Sequence, residues 1–167
     1  MCIRDRGNFT FVGVTPGRYR VSAYGLGGWF LRTATFGGRD AMDAPVEIGM
    51  GDVGGVELTF TDLEQEINGD LLDASGKPAP EFFIILFPVN KAYWGGQSRR
   101  IMSTRPGADG RFKFQNPPPG DYLIAAVTDV EQGEWNDPAF LEQLVGASTK
   151  ISVAEGEKRT QGLRIKR

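Results

Sequence analysis

No histidine occurs anywhere in the 167 residues. That absence removes the commonest general base, the commonest zinc ligand and every Ser/His/Asp or Cys/His constellation for nucleophilic catalysis. A single cysteine, Cys2, cannot close an intramolecular disulfide, so cysteine usage says nothing about redox compartment. Long apolar runs are missing too: nothing approaches the ~18 residues of a membrane helix, and residues 1–6 lack the apolar segment of a signal peptide. Neither sign of charge dominates, with 19 Lys and Arg against 21 Asp and Glu and a net charge of −2. No global field therefore draws the chain to phosphate backbones or anionic membranes, and nucleic acid and membrane insertion are not expected. What is present is 40% hydrophobic and 11% aromatic residues, enough for a core. The 23 glycines and 10 prolines make the chain turn-rich without reaching the composition of low-complexity disorder.

An internal repeat organises the sequence. Gly7-Asn8-Phe9-Thr10-Phe11 recurs as Gly110-Arg111-Phe112-Lys113-Phe114, and the same offset of 103 residues carries Pro16-Gly17-Arg18-Tyr19 onto Pro119-Gly120-Asp121-Tyr122. Alternate apolar residues continue through Val21 and Ala23 in one copy and Ile124 and Ala126 in the other. Period 2 specifies strands. The pattern predicts a β-hairpin in each copy, in which Phe-x-Phe runs into a Pro-Gly turn and a Tyr-led strand returns. Val46–Ile48 and Val56–Phe60 resemble Ile151–Val153 and Leu163–Ile165 as closing strands of the two copies. Only the second copy has an opening pair, Ile67–Asp73 and the six-residue apolar run Phe82–Phe87, which suits a strand buried on both faces.

The expected organisation is all-β, with two consecutive antiparallel β-sandwich domains. Residues 64–167 form a complete sandwich of about seven strands, and residues 7–63 form the C-terminal half of a first one. Residues 1–6 look foreign to the rest of the chain, resembling translated adapter sequence, and Cys2 is expected to lie in a fraying end. A truncated first domain predicts that Phe9, Phe11 and Tyr19 lack part of their packing layer, leaving an apolar patch or an open edge. One segment breaks the β pattern: Asp137 as N-cap, Pro138 at the first helical position, and Phe140, Leu141 and Leu144 on one face predict a short helix near 137–145. Its apolar stripe is expected to cap one end of the sandwich.

Ile67-x-Gly69-x-Leu71-x-Asp73-x-x-Gly76-Lys77-Pro78, Asp109-Gly110-Arg111-Phe112-x-Phe114 and Pro118-Pro119-Gly120-Asp121-Tyr122-x-Ile124-x-Ala126 resemble the carboxypeptidase regulatory-like domain family. That resemblance implies a transthyretin-like or prealbumin-like β-sandwich, akin in shape to immunoglobulin and starch-binding folds. The Trp135-x-Asp137-Pro138-Ala139-Phe140-Leu141 and Ser98-Arg99-Arg100 segments look like those of tandem-domain proteins of acidobacteria-like environmental bacteria. The resemblance further implies a non-enzymatic structural or interaction module of an exported protein, periplasmic, cell-surface or secreted. Its partners would be neighbouring domains of the same chain or cell-envelope proteins, and it would need no cofactor and no metal.

The alternative is a carbohydrate-binding module, with Tyr93, Trp94 and Trp135 as sugar platforms on loops and Trp29 with Phe30 beside Gly27-Gly28 as a further aromatic pair. Against it stands the reading that these rings pack over the sandwich ends. Asp129, Glu131, Glu134 and Asp137 offer carboxylates in one loop, yet lack the dense spacing of a calcium loop. Arg99, Arg100, Arg105 and Arg111 form a basic cluster in sequence that suits an acidic surface or a polysaccharide, although it reads first as an exposed strand and its turn. Gly49-x-Gly51-x-x-Gly54 sits between strands, without the helix that a phosphate-binding loop needs.

Overall fold

The computed structural model describes residues 2–5, 7–23, 27–128 and 130–165. The chain divides into two compact units, Met1–Asp62 and Leu63–Arg167. In the first unit, β1 (Cys2–Asp5) pairs antiparallel with β2 (Asn8–Phe11), so the segment expected to fray is a paired strand. β3 (Gly17–Tyr19) pairs with β6 (Val46–Ile48), and β4 (Phe30–Phe36) lies between β5 (Arg39–Asp40) and β7 (Val56–Thr61). The β4–β5 connection is a two-residue turn in which Gly37 and Gly38 have φ of +54° and +76°, a conformation that β-branched or bulky residues resist. The core of this unit is small: Ala34, Ala41 and Met42 are buried, with Val21, Leu31, Phe36, Val46 and Leu58 packed around them.

The second unit is a two-sheet sandwich with an added helical layer. Its elements are β8 (Glu66–Leu72), β9 (Phe83–Pro88), β10 (Met102–Thr104), β11 (Arg111–Gln115), β12 (Gly120–Val127), α1 (Pro138–Leu144), β13 (Thr149–Val153), β14 (Lys158–Thr160) and β15 (Leu163–Arg164). One sheet has the order β10-β9-β12-β13; the other is β11-β8-β14, with β15 also on β8. Ile67, Leu71, Phe112 and Phe114 from the second sheet meet Ile84, Leu86, Tyr122, Ile124, Ile151 and Val153 from the first in a closed inner layer. Gly69 is required there: a Cβ would collide with the Gln161 carbonyl oxygen and come within 2.5 Å of the Phe112 ring.

Three expectations are corrected. The Phe-x-Phe and Tyr-led strands are not hairpins, because β11 pairs with β8 while β12 pairs with β9 and β13 in the other sheet. In the first unit, likewise, β2 pairs with β1 and β3 with β6. The reason lies in the connection. Pro117, Pro118 and Pro119 have no N–H to extend a ladder and fix φ, so the chain arches from sheet to sheet instead of folding back on itself. The arch is pinned by the Tyr122 hydroxyl, which donates to the Pro118 carbonyl at 2.6 Å.

The helix does not cap an end of the sandwich. Leu141, fully buried, lies on the outer face of the β9/β12 sheet with Ile85, Phe87, Ile101 and Ala125, and Phe140 and Leu144 pack at the margin. This explains why Phe83–Pro88 is apolar at every position: Ile84 and Leu86 face the inner layer, Ile85 and Phe87 the helical one. Finally, the closing strands of the two units are not equivalent. β7 pairs antiparallel with β4, whereas β14 and β15 run parallel to β8, as two short strands where one was expected. Where the units do correspond, they do so in register: Gly17 faces Ile48 and Tyr19 faces Val46, as Gly120 faces Val153 and Tyr122 faces Ile151.

Candidate functional site

Tyr93 and Trp94 lie just beyond the end of β9. Asn90 accepts the Ala92 N–H at 3.0 Å and so starts the 3-10 turn Lys91–Tyr93, which delivers the Trp94 ring back over the sheet. There the indole N–H donates to the Pro88 carbonyl at 2.6 Å, and the ring meets Phe87 edge-on with centroids 5.7 Å apart. Lys91 lies over the indole at 5.3 Å and bonds Glu142 of α1 at 2.5 Å. Trp135, in the 3-10 turn Glu134–Asn136, packs at 5.8 Å against Phe83. Phe83 and Phe87 are four residues apart on one face, roughly 13 Å along the strand. Trp94 and Trp135 therefore occupy opposite ends of the helical layer, and no single platform contains both.

Tyr93 has a different setting. The Arg100 guanidinium stacks 4.7 Å from its ring centre and donates to the Pro119 carbonyl at 3.0 Å. Together with Pro88, Asn90, Gly120 and Asp121, these two residues line a cleft of about 350 Å³. The fold parts Arg100 from two other members of the basic cluster read from the sequence, since Arg105 and Arg111 together line a separate cleft of about 620 Å³ with Asn68, Asp70 and Lys113. Arg100 belongs to the Tyr93 cleft, Arg105 lies over the Phe83 ring at 3.9 Å, and Arg111 faces Asp109 at 3.7 Å with both side chains largely exposed. In the acidic loop, Glu134 accepts the Glu131 N–H at 3.1 Å and Asp137 accepts the Ala139 N–H at 2.9 Å as the cap of α1. Asp129 lies outside the described residues, among which no group of three or more potential ligands could hold a metal ion. The Gly49 to Gly54 segment links β6 to β7 and precedes no helix. Trp29 is 53% exposed in the first unit, and Phe30 opens β4.

Three carboxyls are held below the usual carboxylate range, each by donors that favour the anion. For Glu66 these are the Lys113 ammonium and then the Asn68 amide; for Asp73, the Lys77 backbone N–H and then the Ser75 hydroxyl; for Asp121, the Ser152 hydroxyl and then Lys150. A proton donor at neutral pH needs the opposite shift. These groups act as fixed acceptors at turns and strand edges.

A further cleft escapes any motif search. Phe9, Phe11, Val21, Ala23, Val56, Leu58 and Phe60 line an open space of about 730 Å³ in the first unit, and Phe11 is 56% exposed. Phe9 and Tyr19 are half-buried. The sequence signal for it was the missing opening pair of the first copy.

No family model matches the chain, and no curated protein does. Among solved structures it is similar to the TIE protein of Bacillus anthracis (12% identity, TM-score 0.40), covering 72% of this chain and 20% of that one. It is similar also to GBS52, the minor pilin of Streptococcus agalactiae (14%, 0.39; 73% and 59%), and to BcpA, the major pilin subunit of Bacillus cereus (14%, 0.40; 86% and 40%). The chain thus spans from a fifth to about three fifths of the length of these proteins. At this identity and overlap the likenesses add nothing to the architecture read from the strands.

Proposed function

We propose that the chain is a non-enzymatic structural or interaction module of an exported bacterial protein, spacing or docking neighbouring domains. We assign its second unit to the carboxypeptidase regulatory-like group of sandwiches and its first unit to the second half of such a domain. The observation that carries this reading is the use of the loop aromatics. Trp94 and Trp135, the rings a binding loop would present, instead seal the layer between the sheet and α1, and the Trp94 indole N–H is taken by Pro88. A sheet covered on both faces makes a stiff element suited to holding its neighbours apart. The resemblance of Ile67 to Pro78 and Asp109 to Ala126 to the regulatory-like family supports export and the absence of a cofactor.

A second reading rests on Tyr93. Its ring lines a cleft with Asn90, Arg100 and Asp121, a mixture of aromatic and polar groups that suits a sugar. Tryptophan fluorescence of a Trp29→Phe chain, which removes the signal of the exposed ring in the first unit, titrated with soluble neutral and acidic polysaccharides separates the two readings. The spacer reading expects no change in emission and both rings shielded from acrylamide. A saturable shift that disappears in Trp94→Ala, Trp135→Ala or Tyr93→Ala would replace it with carbohydrate binding.

A further inference from the structure

The two sheets of the second unit differ in what lies on their outer faces. α1 packs on β9 and β12, whereas the outer face of β11-β8-β14 carries polar side chains. Ile67, Leu71, Phe112 and Phe114 belong to the inner layer, so strand alternation turns Asn68, Asp70, Arg111 and Lys113 outward. Thr160 of β14 stands beside Asn68 in register. With Arg105, just beyond the end of β10, these residues line the cleft of about 620 Å³, a size within the range of small-ligand sites.

Two charges in this cleft are left over. Lys113 is tied to Glu66, and Arg111 lies by Asp109 at 3.7 Å. Asp70 faces Arg111 across the ladder, where opposite charges ordinarily pair. That guanidinium is turned to Asp109 instead, and among the described residues no hydrogen bond or ion pair reaches the half-buried Asp70 carboxylate. Arg105 meets no carboxylate among the described residues either; its contact is with the Phe83 ring, which holds the group and leaves its N–H donors open. Once Glu66 and Asp109 are included, the three cations of the cleft stand against three carboxylates, so no net charge draws a polyanion there. What the cleft offers is hydrogen bonding: an acceptor in Asp70, a donor fork in Arg105, the Thr160 hydroxyl, and the Asn68 carbonyl, whose amide already donates to Glu66. Neighbouring hydroxyls, each both donor and acceptor, match that set without adding charge.

We propose that this cleft binds a neutral oligosaccharide, with Asp70 accepting from ring hydroxyls and Arg105 donating to those of a neighbouring sugar. Four of the lining side chains stand on β8 and β11, whose ladder fixes their spacing before any ligand arrives. The inference goes beyond the spacer reading, and it uses neither the loop tryptophans nor the Tyr93 cleft.

The test titrates the isotope-labelled full chain with neutral oligosaccharides of glucose, mannose, xylose and galactose. At least one of them should give saturable amide chemical-shift changes centred on residues 68–70 and 111–113. A neutral ligand releases no counterions, so raising NaCl from about 0.05 M to about 0.5 M should change the dissociation constant less than about twofold. Asp70→Ala should weaken binding by about tenfold or more, the worth of a hydrogen bond to a charged group. Arg105→Ala should weaken it by a similar factor, and its exposed position keeps the test decisive should Asp70→Ala unfold the unit. Lys77→Ala, in the exposed turn after β8, should bind as the unaltered chain does. No shifts with any of the four sugars, or an affinity that both cleft variants leave unchanged, would overturn the proposal. So would shifts centred on Asn90 and Asp121 that vanish in Tyr93→Ala, which would move the sugar to the other cleft. Binding of polygalacturonate alone, with an affinity that falls steeply in salt, would make the ligand a polyanion and overturn it as well.

Discussion

The Tyr122 hydroxyl donates to the carbonyl of Pro118, four residues back, at 2.6 Å; Tyr19 makes the same bond to Thr15 at 2.8 Å. The pair shows that the repeat is one of corners, since each bond ties a Tyr-led strand to the arch that leads into it. Tyr122 is fully buried, whereas the Tyr19 bond is exposed. Tyr122→Phe leaves a buried carbonyl short of a donor and is expected to cost about 1–3 kcal/mol, with Tyr19→Phe below about 1. Urea unfolding followed by circular dichroism checks this through the midpoint, at unchanged m-value.

Gly69 leaves room for Phe112 and for the backbone of Gln161. Gly69→Ala is expected to destabilise the second unit by about 3 kcal/mol, since the collision involves backbone and cannot be relieved by a rotamer change. Gly95→Ala, with open space around it, should stay within about 0.5 kcal/mol. Equal thermal stability of the two variants would contradict the packing described.

Removing the helical layer should uncover the aromatics beneath it. Leu141→Ala is expected to cost about 2–5 kcal/mol and to shift tryptophan emission to the red as Trp94 and Trp135 meet water. Asp137→Ala, which removes only the cap bond to Ala139, should cost about 1 kcal/mol with little change in emission. An unchanged spectrum in Leu141→Ala would place the two rings elsewhere.

Stability should fall in acid. Glu66, Asp73 and Asp121 have folded-state values below their ordinary ones, so the native state binds fewer protons than the unfolded chain. Their contribution is complete above the ordinary carboxylate range, at about pH 5 and higher, and is lost as pH drops through the folded values. Melting temperatures measured from neutral to acidic pH are expected to be flat and then to decline. In Asp73→Asn, which keeps an acceptor for Lys77 but carries no charge, the acid decline should be shallower.

The helix was legible because its signals are local. Asp137 with Pro138 next to it supplies a cap and a fixed φ, and the spacing of Phe140, Leu141 and Leu144 sets one face. The strands were legible from alternation, and the unbroken apolar run of β9 announced cover on both sides. The separation of Trp94 from Trp135, the parting of Arg100 from Arg105 and Arg111, and the parallel pairing of β14 and β15 with β8 left no such trace. Each depends on which distant segment lies alongside, and backbone hydrogen bonds, common to all residues, do not mark their partners in the sequence.

By itself, then, the sequence determined an all-β chain with a Phe-x-Phe, Pro-Gly, Tyr pattern repeated 103 residues on and one short helix, because period, caps and prolines act within a few residues. It also excluded histidine chemistry. Only the tertiary structure decided that the Phe-x-Phe and Tyr-led strands belong to different sheets and that α1 lies over the outer face of β9. Those outcomes are fixed by long-range burial. An apolar face specifies that it must be covered, and the rest of the folded chain settles by what.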